Sequence, residues 1–153
     1  MLKYPFAQAY RTTSPYGERT NPITGEVQFH NGTDYATPIG TSVLSPVNGV
    51  VAFSSNDDRS GAYIGVKGEG YTISFSHLLS PTKFAGDPVQ KGEVIAISGN
   101  SGSSTGPHTH IVVKDEKGET VNPETVLPTS PQNNTDDAVL YAAAAAAGIL
   151  AIW

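Results

Sequence analysis

The chain has 153 residues, which is enough for one domain with a hydrophobic core. Its net charge is −5 and its isoelectric point is about 5.2, and because no stripe of basic residues is present we expect no binding to nucleic acid. Only 15% of the residues are charged, whereas there are 16 glycines and 11 prolines, so short strands with frequent turns are favoured over long helices.

Taken from the N-terminus, the chain divides into three zones. Residues 1–5 lack the apolar run of a signal peptide, and residues 1–127 are predicted to form one β domain. Residues 128–137 are polar and contain two prolines, which is typical of a linker. Residues 138–153 carry no charge and are rich in alanine, the strongest helix former, so they are predicted to form an apolar helix.

Short strands separated by turn residues are predicted throughout the β domain. They cover residues 43–44, 50–53, 62–66, 71–77, 94–98 and 108–114, with a further short strand ending at Val121. Residues 67–70 are predicted to join two of them in a hairpin, and Asn122 and Pro123 to begin one helical turn. Because no long helical pattern separates the strands, the predicted fold class is all-β, a compact antiparallel sandwich or barrel-like domain.

The four histidines all lie beside glycine-rich or strand-end segments, where functional sites tend to be built. His108 and His110 would point to one face of a strand, which suits one metal ligand and one acid–base group, although two surface histidines are an equal alternative. His30 and Asp34 need a turn to bring them together, and His77 alone is a weak signal. Because cysteine is absent, a transition metal would need imidazole and carboxylate ligands, and two His with one Asp are typical of catalytic zinc.

The chain resembles the lysostaphin/LytM-like zinc endopeptidases, which cut peptidoglycan peptides. The resemblance runs from about Ser14 to Pro123 and rests on motifs in a fixed order: Pro15-Tyr16-Gly17-Glu18-Arg19, His30-Asn31-Gly32-Thr33-Asp34, Ser76-His77-Leu78, Val89-Gln90-Lys91-Gly92-Glu93, Gly106-Pro107-His108-Thr109-His110 and Val121-Asn122-Pro123. Thr109 stands where the family often has leucine, and residues 111–113 replace the usual aromatic-Glu-Val. These departures affect the expected substrate preference more than the chemistry.

The resemblance implies a domain of the duplicated-hybrid-motif type and one Zn²⁺ per chain, held by His30, Asp34 and His110. It also implies that His77 and His108 are catalytic, orienting and deprotonating a water that the metal activates. No Glu matches the helix-borne His-Glu-x-x-His motif, so a thermolysin-type site is excluded. The expected substrate is a peptidoglycan peptide. The D-alanine to diaminopimelate cross-link is favoured over a glycine bridge, since no separate wall-targeting domain is present.

The same residues are also compatible with two other functions. The chain could be a catalytically inactive relative that binds the cell wall or activates another hydrolase, although such relatives usually lose metal ligands. It could also be a non-haem iron oxygenase with a two-His-one-carboxylate site. In that class the first His and the Asp are normally separated by one residue, whereas three residues separate His30 from Asp34.

Residues 99–106 form a segment rich in glycine and serine. It lacks the Gly-Lys-Ser/Thr ending of a phosphate-binding loop. The resemblance implies that it forms one wall of a narrow groove, and an ordinary flexible connection is the alternative. Tyr16, Tyr35 and Tyr63 are expected either to line the same groove or to belong to the core.

The apolar segment 138–153 bears on where the protein acts. As a helix it would span roughly 24 Å, against about 30 Å for the hydrocarbon core of a bilayer. It is therefore expected to anchor the enzyme to a membrane or to a viral structural protein, with burial against protein as the alternative. Together with the missing export signal, this predicts a virion-associated or membrane-anchored enzyme of a bacterial virus that opens the cell wall.

Overall fold

The described part of the chain is almost entirely β-structure. A computed structural model describes residues 1–21 and 24–131. Its elements are β1 (Thr12–Ser14), β2 (Gly17–Thr20), β3 (Val27–His30), β4 (Thr33–Tyr35), β5 (Ser42–Leu44), β6 (Gly49–Asp57), β7 (Gly61–Gly68), β8 (Tyr71–Pro81), β9 (Pro88–Val89), β10 (Val94–Ser98), β11 (Thr109–Lys114), β12 (Thr120–Val121) and the helical turn α1 (Pro123–Val126). The strand pairs are antiparallel, so the all-β prediction is confirmed.

One large antiparallel sheet carries most of the domain. Its strands run in the order β1-β4-β11-β8-β7-β6-β9, while β10 pairs with β5 and β8, and β12 pairs with β11. The strands β2 and β3 form a separate hairpin sheet. Successive side chains of a strand point to opposite faces, so the central strands present one apolar face and one polar face.

The apolar face of the central strands forms the hydrophobic core. It is made by fully buried residues of three neighbouring strands: Ile64, Val66, Ile73, Phe75, Ile111 and Val113. On the opposite face, the alternating positions Ser74, Ser76, His110, Val112 and Lys114 line a groove. Because side chains alternate between the two faces of a strand, the residues that stabilise the fold lie on one face and the groove residues lie on the other.

The strand β8 changes its partner near its middle. From Thr72 to Ser76 it pairs with β11, and from Leu78 to Pro81 it pairs with β10. His77 lies at the junction and has a φ of 61°, in the left-handed region that side chains other than glycine seldom adopt. This local break in the ladder redirects the His77 side chain relative to its neighbours.

The N-terminal residues complete the core with an aromatic cluster. Tyr4 and Phe6 are each 1% exposed, and their rings meet Tyr35 edge to face at centroid distances of 6.4 and 5.8 Å. Tyr35 therefore belongs to the core, and burial raises its pKa above the ordinary range for tyrosine. It does not line the groove.

Several predicted elements differ in length from the observed ones. The predicted hairpin at 67–70 is present, but β7 extends into it as far as Gly68, leaving a tight turn at Glu69 and Gly70 with φ values of 53° and 88°. Both values are positive, as a two-residue hairpin turn of type I′ requires. The predicted helix start is also present, since Asn122 Oδ1 accepts a hydrogen bond from the Glu124 N–H at 3.0 Å.

The predicted linker and C-terminal helix stay predictions. Residues 128–131 contain no regular structure, and the rest of the linker 128–137 and all of 138–153 lie outside the described residues. Within the described ranges, no helix has the length and hydropathy needed to cross a membrane.

Candidate metal centre

A short turn between β3 and β4 holds His30 and Asp34 on either side of it. His30 ends β3 and is 8% exposed, and Asp34 lies in the middle of β4. His30 Nε2 lies 3.5 Å from Asp34 Oδ2. The turn presses closely on β11, because a Cβ built on Gly32 would lie 2.3 Å from the Ile111 carbonyl oxygen. Glycine at this position therefore allows the two side chains to approach the next strand.

His110 reaches the same point from β11. It is the direct partner of Asp34 in the antiparallel pairing of β4 and β11, and its Nδ1 atom lies 2.7 Å from Asp34 Oδ1. The rings of His30 and His110 are 5.1 Å apart. The third member of the cluster is thus positioned by sheet register and not by proximity in sequence.

The three side chains present a donor set that suits a divalent metal. One ligand atom from each of His30, Asp34 and His110 lies within 4.8 Å of the others. His30 Nδ1–H donates to the Pro15 carbonyl at 2.9 Å, which fixes the tautomer and leaves Nε2 for a metal. Two imidazole nitrogens and one carboxylate oxygen with no thiolate match a zinc site that keeps open positions.

His77 and His108 lie beside this cluster, each with its Nδ1 atom occupied. His108 Nδ1–H donates to the Gly106 carbonyl at 2.9 Å, and the Ser104 hydroxyl lies 3.0 Å from the same nitrogen. His77 Nδ1–H donates to the Ser101 carbonyl at 2.8 Å. Since a carbonyl oxygen can only accept, each neutral ring keeps its lone pair on Nε2.

The two rings form a pair next to the metal ligands. Their centroids are 4.7 Å apart, and His108 Nε2 lies 3.8 Å from Asp34 Oδ1. The unusual backbone of His77 is held by its N–H, which donates to the Ser60 carbonyl at 2.7 Å. The turn between β6 and β7 therefore fixes the position of His77 from one side, and Ser101 fixes it from the other.

Burial favours the neutral form of the His30 and His77 imidazoles. Desolvation lowers the pKa of both His30 and His77 below the ordinary value of 6.5, and for His77 the nearby His108 and His110 add to the effect. Burial alone would raise the pKa of Asp34, but the His110 hydrogen bond and the surrounding imidazoles outweigh it and lower that pKa. Asp34 is therefore ionised, and burial favours the neutral form of His30, and these are the states in which both groups can bind a metal.

The cluster opens into a groove of about 1010 Å³. Its floor is the polar face of β7, β8 and β11, where Ser74 and Ser76 leave room for a chain. One wall is the β2–β3 hairpin with Phe29, and the other is formed by residues 103–105 of the glycine–serine segment. This shape is suited to an extended polymer rather than to a small enclosed ligand.

The glycine–serine segment is packed against the protein. Gly61 and the segment lie in close contact. A Cβ built on Gly61 would lie 2.2 Å from Ser101 Oγ, and one built on Gly102 would lie 2.3 Å from the Gly61 nitrogen. Ser101 Oγ accepts from the Ala62 N–H at 3.1 Å and donates to the Leu78 carbonyl. These contacts favour the groove-wall interpretation over an ordinary flexible connection.

Comparison with known protein families shows to which family the chain belongs. Residues 28–123 match the sequence model of Peptidase family M23. The matched segment covers more than half of the chain and contains all five candidate site residues, His30, Asp34, His77, His108 and His110. The chain belongs to peptidase family M23. The resemblance to lysostaphin/LytM-like enzymes is confirmed by this match.

Several named proteins are similar to the chain in sequence or in fold. The chain is 38% identical over 110 residues to the peptidoglycan DD-endopeptidase ShyA of Vibrio cholerae, covering 71% of this chain and 26% of that protein. A zinc-containing peptidase from Vibrio cholerae superposes with a TM-score of 0.70 and 32% identity, covering 78% of this chain and 39% of that one. The catalytic domain of the prophage-encoded M23 protein EnpA from Enterococcus faecalis superposes with a TM-score of 0.66 and 30% identity, covering 75% of this chain and 89% of that one. The chain spans only about a quarter to a third of the length of the curated relatives it matches.

The structure brings together all five residues that the sequence singled out in this M23 domain. His30, Asp34 and His110 form the donor cluster, and His77 and His108 lie next to it. Of the three tyrosines considered, Tyr63 lines the groove. Sequence reasoning did not single out the cationic groove residues Arg59 and Lys114. Lys114 could have been found, because it lies four residues after His110 and therefore on the same face of the strand.

Proposed function

We propose that this M23 domain is a zinc-dependent endopeptidase that hydrolyses the peptide cross-links of bacterial peptidoglycan. The observation that carries the proposal is the cluster of His30, Asp34 and His110, whose donor atoms lie within 4.8 Å of one another, with His77 and His108 beside it in an open groove. Family membership favours this peptidase function over an iron oxygenase.

His30, Asp34 and His110 would hold the metal. Zinc bound to such a site supplies Lewis acidity, lowering the pKa of a water towards neutrality and polarising the scissile carbonyl. The hydrogen bond from His30 to Pro15 keeps Nε2 of the ring directed at the cluster, and Asp34 contributes a fixed negative charge. The zinc-containing Vibrio cholerae peptidase with the same fold supports the choice of metal.

His77 and His108 would move the protons. With Nδ1–H bound to a carbonyl, the Nε2 atom of a neutral ring can accept the proton of the attacking water. The same nitrogen, once protonated, can stabilise the developing oxyanion or return the proton to the leaving amine. The lowered pKa of His77 supports a neutral ring that is ready to accept.

The groove and the relatives together support a peptidoglycan substrate. The groove is open and lined mainly by polar side chains, as an extended peptide requires. ShyA is named a peptidoglycan DD-endopeptidase, which supports cleavage of a D-alanine to diaminopimelate cross-link over a glycine bridge.

We further propose a virion-associated or membrane-anchored location, with residues 138–153 as the attachment. The support is the uncharged, alanine-rich sequence of that segment and the existence of a prophage-encoded M23 relative. Deleting residues 138–153 should leave the soluble activity intact and remove the protein from purified particles or membranes. If the truncated protein unfolds, the segment belongs to the domain and the proposed attachment is wrong.

Metal analysis combined with digestion of cell walls tests the enzymatic proposal. Elemental analysis should find one zinc per chain, and mass spectrometry of digested walls should detect cleaved cross-links that disappear with a chelator. His108→Ala should keep zinc but release no peptide, whereas His110→Ala should lose the zinc. Loss of zinc in His108→Ala would contradict the assignment of ligand and base. Stoichiometric iron without zinc would contradict the whole proposal, and a zinc-loaded protein with no cleavage would indicate a binding or activating module.

A further inference from the structure

The groove carries positive charge although the chain as a whole is acidic. Among the described residues that line it, Arg19, Arg59 and Lys114 are cationic, and Asp34 is the one carboxylate. The net charge of the chain is −5, so this local excess of cations is opposite in sign to the rest of the molecule. Asp34 belongs to the candidate metal centre, so among the described groove residues the cations are available to bind a ligand.

Lys114 stands at one end of the groove. His110, Val112 and Lys114 alternate along β11 and line the same face. At roughly 3.3 Å per residue, Lys114 lies about 13 Å along the strand from the metal ligand His110. An extended peptide bound along the floor would cover this distance with about four residues.

Arg59 stands at the other end, in the turn between β6 and β7. Its backbone is fixed on both sides, because its N–H donates to Asp57 Oδ1 at 3.0 Å and its carbonyl accepts from the Ser103 N–H at 2.9 Å. The next residue, Ser60, accepts the hydrogen bond from the His77 backbone. The Arg59 guanidinium is therefore carried on a rigid turn next to the proposed catalytic histidines.

Both cationic groups remain available for a ligand. Arg59 and Lys114 are exposed, and no carboxylate within residues 1–21 and 24–131 forms an ion pair with either of them. Arg19 differs, because its guanidinium donates to Ser14, whose hydroxyl contacts the metal-centre residue His30. Arg19 is therefore tied to the metal centre, whereas the other two are placed to contact substrate.

We propose that Arg59 and Lys114 are specificity-determining residues that bind carboxylates of the substrate peptide on opposite sides of the scissile bond. A guanidinium on a rigid turn can pair with a carboxylate through two hydrogen bonds, and an ammonium adds a point charge at the far end. The enzyme then prefers stem peptides with free carboxylates over amidated stems or neutral glycine bridges. This inference rests on the proposed peptidase function.

Matched substrates measure the preference directly. One is a D-alanine to diaminopimelate cross-linked dimer with free glutamate and diaminopimelate carboxylates, and the other is the same dimer with those carboxylates amidated. For the zinc-loaded wild type, kcat/KM should be about 10-fold higher on the free-carboxylate dimer, since charge-assisted pairs are stronger than neutral contacts. Equal values of kcat/KM on the two dimers would overturn the proposal.

Charge-removing variants assign the preference to residues. Arg59→Gln and Lys114→Gln should each lower kcat/KM on the free-carboxylate dimer about 3-fold and so reduce the preference over the amidated dimer by the same factor. Arg59→Lys, which keeps the charge, should recover part of the loss. Arg11→Gln and Lys117→Gln are the matched controls, because both residues are exposed and lie outside the groove lining. A loss shared equally by both dimers would indicate a structural role and contradict the inference.

Binding separates this inference from the proposed catalysis. The dissociation constants of both dimers can be measured by calorimetry on zinc-loaded His108→Ala, alone and combined with Arg59→Gln. Tighter binding of the free-carboxylate dimer that is lost with Arg59→Gln supports carboxylate recognition even if the wild type cleaves neither dimer. In that case only the peptidase function fails. Equal dissociation constants for the two dimers would overturn carboxylate recognition whatever the activity.

Discussion

Replacing Gly32 with alanine should weaken the metal centre more than it weakens the fold. The new Cβ would lie 2.3 Å from the Ile111 carbonyl oxygen and 2.9 Å from Cε1 of His110, whereas ordinary contact begins at 3.4 Å. The turn that carries His30 and Asp34 must therefore withdraw from β11 by about 1 Å, because neither the backbone carbonyl nor the ligand ring can yield freely.

A shift of this size is large for a metal site. Ligand distances are set to within about 0.2 Å, and a misplacement of about 1 Å in a catalytic site can cost roughly 100-fold in rate. We expect Gly32→Ala to lose zinc affinity at least 10-fold and kcat/KM about 100-fold. The overpacking itself should cost about 1–3 kcal/mol of unfolding free energy. Competition with a chromophoric chelator measures the affinity, and denaturant unfolding of the metal-free protein measures the stability.

Gly68→Ala is the matched control for this prediction. Its Cβ would lie 2.1 Å from the carbonyl oxygen of Asn48, the residue before β6, a comparable clash that involves no metal ligand. It should lose similar stability and keep wild-type zinc affinity. Wild-type zinc affinity in Gly32→Ala, or an equal loss of affinity in the two variants, would show that close packing at Gly32 does not position the metal ligands.

Four further outcomes can be checked on the same protein. His77→Ala should keep its zinc but lower kcat at least 100-fold, as metal analysis and a cleavage assay would reveal, and a metal-free variant would contradict the assignment. Ser101→Ala removes a hydroxyl that ties β7 to β8 beside His77, so it should lower both Tm and kcat, and an unchanged kcat would argue against a positioning role. Zinc affinity should fall on acidification because protonated imidazole cannot bind metal, and since burial lowers the pKa of His30, its ring in the metal-free protein should titrate below 6.5; a midpoint above 6.5 for His30 in an NMR titration would refute this. Phe75→Ala empties a fully buried core position and should cost about 3–5 kcal/mol in urea unfolding, whereas a loss below 1 kcal/mol would place Phe75 outside the core.

Local patterns in the sequence were sufficient for the fold class, and they drew attention to the histidines that the structure brings together. Alternation of polar and apolar residues indicated the β-strand at 71–77, and turn residues bounded the short strands predicted at 62–66 and 108–114. The spacing of His108 and His110 placed both on one face, because side chains two positions apart in a strand share a face. The ordered motifs between Ser14 and Pro123 then indicated the family.

The arrangement of these residues was decided by the tertiary structure. Asp34 meets His110 through the register between β4 and β11, 76 positions apart in the chain, and no local pattern specifies such a pairing. The change of partner in β8 that turns the His77 backbone to a positive φ depends on where β10 and β11 compete for the same strand. Arg59 faces the groove only because the turn before β7 packs on the glycine–serine segment. Local propensity acts over a few residues, whereas register, strand competition and loop packing are set by the burial of one shared core.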